Sequence, residues 1–364
     1  MRIGVPKEIK KHEYRVGLTP SAVSKYVTEG HELYVESDAG LGTGFTDIDY
    51  VNAGATVVCD TKSTFDNAEL IIKVKEPQTS ELSYFRKDHI LFTYLHLAAD
   101  KALTQELMSI GLTSIAYETI QLPNRSHPCL TPMSEIAGRL SVQEGAKYLE
   151  TPFGGAGILL GGIPGVKRGK VVILGGGVVG FNAAKIASGI GAYTSILDIS
   201  QERLAYLDDV FGSSVQTLFS NDANIESEIE DADVVIGSVY VHGASAPKLI
   251  NKNHLKIMKK GAVLVDVAID QGGCFETSKA TTHDKPIYDV GGIVHYCVAN
   301  MPGVVPQTST VALNNQTLRY GLEIASGIST DKYNDALKLG VNTHDGKLIC
   351  EAVANTHNLP FSAI

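Results

Sequence analysis

An apolar run closing on three glycines, Val171-Val172-Ile173-Leu174-Gly175-Gly176-Gly177-Val178-Val179-Gly180, is answered eighteen positions later by an acid, Asp198. The glycines follow the form GxGxxG, between a run that reads as a strand and a stretch, Val178 to Ser188, that reads as a helix. A second strand, Tyr193 to Leu197, ends on the acid. This is the arrangement that holds a dinucleotide, and each part has a physical task. Gly175 allows a tight turn, Gly177 lets the backbone approach a pyrophosphate with no Cβ in the way, and Gly180 lets the helix pack close to the strand. The unpaired N–H groups at the helix start face the phosphates. Asp198 is placed to accept hydrogen bonds from the adenosine ribose, and its charge favours NAD over a nucleotide with a 2′-phosphate. Arg203 could partner such a phosphate, but is read as lying beside the adenosine or facing solvent.

Four more polar groups, Arg15, Lys75, His96 and Asp270, are of types that suit a nicotinamide enzyme acting on a small acid. Such an enzyme needs cations for the substrate carboxylate, an acid/base near the reacting carbon and a group to stabilise a positive intermediate. In open α/β sheets ligands sit beyond the carboxyl ends of the strands. Lys75 follows a strand read at Leu70–Val74, His96 one at Ile90–Tyr94, and Asp270 one at Ala262–Val267, while Asn300-Met301 follows His295–Val298. Spacing alone leaves plainer readings open. Arg15 lies in a charged stretch typical of a surface. Lys75 shares a strand face with Lys73, so an exposed edge accounts for both. His96 stands in an apolar run where a satisfied core histidine is as good an account. Asp270 could cap a turn into Gly272-Gly273. His12, His127, His242 and His283 have no clear context.

The elements that must position these groups alternate strand and helix. Strands read at Arg2–Val5, His31–Glu36, Leu70–Val74, Ile90–Tyr94 and Thr113–Ala116, with helices at Pro20–Glu29, where Thr19 caps, and about Asp100–Ser109. A long helical pattern at Thr131–Leu149 leads into the glycine-rich Gly154–Gly165 and the dinucleotide unit, followed by strands at Val215–Phe219, Asp233–Gly237, Ala262–Val267 and His295–Val298. The tail from Thr308 reads as helical with no sheet of its own, and returns to the first domain. The pattern predicts an α/β chain of two doubly wound, Rossmann-like domains with a cleft between them. The first spans 1–128 plus 307–364 and takes substrate; the second, 129–306, takes NAD.

At 364 residues the chain is long enough for two such cores, and a net charge of −9 argues against nucleic acid or an anionic membrane as partner. No stretch approaches the roughly 20 apolar residues of a spanning helix, and Met1–Glu8 lacks the apolar core of a signal peptide. Five scattered cysteines with no CxxC pair fit a reducing cytoplasm and make a zinc site unattractive.

From end to end the chain resembles the L-alanine dehydrogenases. The blocks that carry the resemblance are Met1–Glu8, Arg15–Pro20, Lys73–Pro77, Leu91–Ala98, Thr131–Glu135, Asp266–Gly273 and Val298–Pro302. The resemblance implies reversible, NAD-dependent oxidative deamination of L-alanine to pyruvate and ammonium. It implies that Arg15 and Lys75 hold the substrate, that His96 is the general acid/base, and that Asp270 assists proton transfer and stabilises the iminium or carbinolamine stage. NAD contacts carry over to Ser134, Gly175, Gly177, Val178, Val179, Gly180, Asp198, Arg203, Ser220, Val239 and Tyr240. They continue with Val267, Ala268, Ile269, Asp270, Lys279, Val298, Ala299, Asn300 and Met301. The resemblance also implies a homohexamer.

The chain departs from the family pattern at three places. Ala156 stands where a basic residue is frequent, and His242 where proline is usual. Gly327, four residues after Glu323, replaces a histidine that binds metal in some members, so no metal is carried over. The alternatives are an NAD(H)-binding component like that of proton-translocating transhydrogenase, without an amino-acid substrate, a non-enzymatic NAD-sensing module, and a saccharopine-type dehydrogenase.

Overall fold

Leu70, Ile71 and Ile72 are almost wholly buried, as are Val171 through Leu174, with no alternation of polar residues. Such runs belong to strands covered by helices on both faces of a parallel sheet. A computed structural model, describing residues 1–239 and 246–363, shows two such sheets. The strands are, in chain order, β1 (Arg2–Val5), β2 (Glu32–Glu36), β3 (Thr56–Val58), β4 (Leu70–Ile72), β5 (Ile90–Thr93) and β6 (Thr113–Ala116). There follow β7 (Lys170–Leu174), β8 (Tyr193–Asp198), β9 (Gln216–Phe219), β10 (Val234–Gly237), β11 (Val263–Asp266), β12 (Ile287–Val290) and β13 (Ile293–Tyr296), and finally β14 (Val341–His344) and β15 (Lys347–Leu348).

The chain divides into two compact units, Met1–Met133 with Gly303–Ile364, and Ser134–Pro302. In the first unit the strand order is β15-β14-β6-β5-β4-β1-β2-β3, with β1 through β6 parallel and β14 and β15 antiparallel. The tail is therefore not purely helical: β14 and β15 extend this sheet, short strands whose few residues carry too little alternation to be read. Its long helix, Pro306–Ala325, packs on the first loop. There Asn314 accepts from Thr19 N at 2.7 Å and donates to the Gly17 carbonyl at 2.9 Å. The helix Pro20–Thr28 starts as its sequence dictates, with Thr19 as N-cap accepting from Ala22 N and Pro20 in the first turn.

The second unit orders its strands β12-β13-β11-β10-β7-β8-β9, all parallel except β12. The last parallel strand occupies Ile293–Tyr296, earlier than the expected His295–Val298, because β12 pairs with it as a hairpin and fixes its register. Both sheets reverse direction once. Chain order runs outward from β1 to β3 and then restarts at β4 on the other side of β1; likewise β7 to β9, then β10. At such a switch point the loops after two neighbouring strands part and leave a crevice for a ligand.

Candidate active site

At the first switch point, the loops after β1 and β4 carry Arg15 and Lys75. Arg15 is no surface residue: it is 2% exposed, because a carboxylate goes in with it. Its Nε donates to Glu13 Oε1 and its Nη2 to Glu13 Oε2, both at 2.6 Å, and its Nη1 lies 3.0 Å from the Met133 sulfur. This two-pronged pairing fixes the plane of the guanidinium. Burial alone would raise the Glu13 carboxyl, but Arg15, aided by Lys75, holds it below its ordinary value.

Lys73 and Lys75 do not share an exposed edge. β4 lies inside the sheet, and Lys73 is wholly buried, with its Nζ donating to Glu81 at 2.6 Å and to Glu8 at 3.3 Å. Two carboxylates around one buried ammonium make it a structural ion cluster. Glu8 also accepts from the backbone N–H of Val74 at 2.6 Å and of Lys75 at 3.2 Å, so the same carboxylate steadies the chain that carries Lys75. The Lys75 ammonium is different. Burial, and then the positive Arg15, push it below the ordinary lysine range, against a weaker pull from Glu13 and Glu76. A half-buried cation beside a second cation is a ready receptor for a small carboxylate or a carbonyl oxygen.

His96 follows β5 and is exposed, which excludes the core-histidine reading. Its backbone lies in the left-handed region at φ 52°, ψ 33°, and its ring stacks on that of Tyr94, with centroids 5.9 Å apart and planes 12° apart. The Tyr94 hydroxyl is buried and donates to the Cys129 carbonyl at 2.6 Å.

The second switch point holds the glycine turn. Gly175 has φ +102°, which permits the tight bend. A Cβ on Gly180 would stand 1.8 Å from the Gly175 carbonyl oxygen, whereas one on Gly177 would meet nothing within 4 Å. Gly180 thus serves packing, and Gly177 opens onto space, as a cradle for a phosphate group requires. The helix Val178–Gly189 begins there without a side-chain cap, leaving its first N–H groups to a ligand. Val178 is exposed and Val179 half-buried. Ser238, on the loop after β10, donates to the carbonyls of Leu174 and Gly175, both at 2.9 Å, and so clamps the turn; Val239 packs against Gly175. Asp198, ending β8, accepts from Gly176 N at 2.6 Å and from Ser200 N at 2.8 Å. Ser220 N reaches the Asp198 carbonyl at 2.9 Å. Arg203 folds back over the turn, its Nε bonded to the Gly176 carbonyl and its guanidinium 4.7 Å from the Tyr206 ring. These residues form one group, and they fit a dinucleotide.

Asp270 is exposed, on a single 3-10 turn after β11 beside half-buried Val267 and Ala268 and buried Ile269. The loop is pinned from below by Asp266, which is wholly buried. One Asp266 oxygen accepts from Ala268 N at 3.1 Å; the other accepts from Phe275 N at 3.3 Å and from the Ser278 hydroxyl. Lys279 is exposed, its N–H held by the Tyr288 hydroxyl at 2.8 Å. Thr281 bridges to Val298, which brings Lys279 toward the segment Val298–Met301, where Val298 and Met301 are buried and Asn300 has φ 64°. Ser134 is half-buried near the start of the helix Thr131–Tyr148. Tyr240 and His242 lie outside the described residues. Among the described residues, no group of three or more His, Cys, Asp or Glu side chains gathers as a metal site.

Sequence reasoning missed the carboxylates and hydroxyls that hold these groups: Glu8, Glu13, Glu118, Ser238, Asp266 and Ser278. Glu118 and Asp266 share one available signal, an acid at or just past the carboxyl end of a parallel strand.

The model of the family described as alanine dehydrogenase/PNT, N-terminal domain, matches residues 4–137, and that of its C-terminal domain matches 141–351. The alanine dehydrogenase of Methanococcus maripaludis is 54% identical over 100% of this chain and 98% of its own length. That of Geobacillus stearothermophilus is 53% identical, with the same coverage. A solved L-alanine dehydrogenase superposes with a TM-score of 0.96 at 54% identity, covering 98% of this chain and 99% of its own. A transhydrogenase from Sinorhizobium meliloti shares the fold, with a TM-score of 0.85 at 23% identity, covering 97% of this chain and 100% of its own. The chain belongs to the alanine dehydrogenase/PNT family.

Proposed function

We propose that this chain is an L-alanine dehydrogenase that uses NAD, converting L-alanine, NAD⁺ and water reversibly to pyruvate, ammonium, NADH and a proton. The observation that carries the reading is likeness without a gap in coverage: 54% identity over the whole chain to an enzyme of that name. The site chemistry supports it. When bound, the dinucleotide supplies the acceptor for the hydride that leaves Cα. Arg15 holds the substrate carboxylate, its plane already set by Glu13. Lys75 faces the oxygen that becomes the pyruvate carbonyl. His96 takes a proton from the substrate ammonium so that the nitrogen lone pair can drive hydride loss, releases it to solvent, and then takes one from the water that attacks the iminium. Asp270 balances the positive charge of the iminium and assists the proton transfers that collapse the carbinolamine.

The glycine turn and Asp198 support NAD as cofactor. Ser134, Arg203, Ser220, Val239, Tyr240, Lys279 and the segments 267–270 and 298–301 are assigned as its further contacts. We assign a homohexamer in the cytoplasm; the five cysteines stand as free thiols, which suits that compartment. Among the described residues no helix is long and apolar enough to cross a membrane.

The test is NADH oxidation by purified protein with pyruvate, with and without ammonium. Oxidation that requires ammonium is expected; none, with NADH still bound, overturns the assignment. His96→Ala and Asp270→Ala are each expected to lose about 100-fold or more in kcat while NADH binding persists. Turnover near wild type in either removes that residue from the mechanism.

A further inference from the structure

β5 and β6 run parallel, and Thr93 opposite Ala116 is their last paired position. Past it, the N–H groups of Leu95 and His96 no longer have a strand as acceptor. The carboxylate of Glu118, just past the end of β6, takes that place. Its Oε1 accepts from Leu95 N at 3.1 Å and from His96 N at 2.6 Å, and its Oε2 from Leu95 N at 3.3 Å. The two shorter bonds converge on one oxygen, at the residue whose backbone turns left-handed with φ 52°. A residue with a Cβ keeps that conformation only when its surroundings impose it. Here they act at both ends of the residue, with Glu118 on the backbone and the Tyr94 ring against the imidazole.

We propose that Glu118 is a positioning residue for the reaction: it fixes the left-handed backbone of His96, and through it the direction of the imidazole, as a hydrogen-bond acceptor and not through its charge. The inference rests on the reading of His96 as the proton carrier. His96 is exposed, so water can satisfy its N–H when Glu118 is removed. Leu95 is wholly buried, so its N–H also loses its acceptor, and removing Glu118 costs some stability as well as geometry. Because the two shorter bonds share Oε1, a glutamine amide oxygen can reproduce them, while alanine cannot and aspartate is one methylene too short to reach in the same pose.

The experiment compares full-length Glu118→Gln, Glu118→Asp, Glu118→Ala and His96→Ala in ammonium-dependent NADH oxidation, together with NADH titration and thermal unfolding. Glu118→Ala and Glu118→Asp are expected to lose on the order of 100-fold in kcat, the effect of a misplaced catalytic group, with NADH affinity kept. Glu118→Gln is expected to stay within about threefold of wild type, with an unmoved pH profile of kcat, since the acceptor is retained. If Glu118→Ala fails to fold, the Gln and Asp variants carry the comparison. A Glu118→Gln enzyme as impaired as Glu118→Asp, or one with a displaced pH profile, overturns the acceptor role. Full activity in Glu118→Ala beside an inactive His96→Ala overturns the positioning role alone. Turnover in His96→Ala overturns the proton-carrier reading beneath it.

Discussion

Lys75 shows how far a single residue depends on neighbours that sequence spacing does not reveal. Its ammonium is pushed down first by burial and then by Arg15, while Glu13 and Glu76 pull the other way. In the native protein, acylation of Lys75 followed by mass spectrometry against pH is therefore expected to show a midpoint below the ordinary lysine range. Glu13→Gln removes one of the anions that favour the charged form, so the midpoint is expected to fall further; a rise in the variant, or a wild-type midpoint within the ordinary lysine range, contradicts the account. Asp198 gives a second test. Asp198→Ala is expected to weaken NAD by about tenfold or more and to improve NADP relative to NAD, because a carboxylate no longer faces the 2′ position. Read as the ratio of the two affinities, the result is insensitive to general loosening of the turn; an unchanged ratio sinks the ribose assignment. The residues proposed to do chemistry could be named because their types suit a reaction and because Lys75, His96 and Asp270 come just after strands. Glu13 could not be, since its pairing with Arg15 depends on a loop conformation that no periodicity encodes, and Glu118 and Asp266 offered only their place at a strand end, not the loop N–H groups they bind.

At the scale of elements, the glycine turn separates two demands that one motif meets together. Gly180 lies where a Cβ would strike the Gly175 carbonyl oxygen at 1.8 Å, and Gly177 where it would meet nothing within 4 Å. Gly180→Ala must push the helix Val178–Gly189 away from the turn, so it is expected to cost about 3 kcal/mol of unfolding free energy and most of the NADH affinity. Gly177→Ala is expected to cost only about 1 kcal/mol in urea unfolding, as alanine does at an N-cap, and yet to lose NADH affinity, because its methyl occupies room left for the ligand. Equal destabilisation by both changes would mean that Gly177 also serves packing. The legible elements were those with an unbroken apolar run or a clear cap, such as β7 and the helix Pro20–Thr28. β3, β12, β14 and β15 escaped because two to four residues at or next to a sheet edge, held by pairing more than by their own pattern, leave too little periodicity to read.

Across the whole molecule, each unit encloses a histidine whose pKa burial lowers. His89 is 1% exposed among Phe65 and Phe85, with Nδ1 accepting from Arg86 N at 3.2 Å and Nε2 without a hydrogen-bond partner among the described residues. His295 is wholly buried, its ring nitrogens within 2.7 Å of the Thr277 hydroxyl oxygen and 3.0 Å of the Ile293 carbonyl. Burial lowers both pKa values, with Arg86 adding to the shift at His89. The sign follows from linkage. Below about pH 6.5 the unfolded chain binds a proton at each imidazole that the native protein does not, so native stability is complete above that pH and falls as pH drops toward the folded-state values. Glu8 and Asp266, raised by burial, act with the opposite sign, since the native protein retains their protons to higher pH than the unfolded chain does. A difference measurement isolates the histidine. His89→Phe keeps an aromatic ring against Phe65 and Phe85 but cannot titrate. Its stability relative to wild type, from urea unfolding at steps between pH 7.5 and 5, is expected to improve steadily as pH falls, by no more than about 1.4 kcal/mol per pH unit. A relative stability that stays flat across that range would show that His89 takes up its proton in the folded protein as readily as in the unfolded chain, and that its burial carries no electrostatic cost.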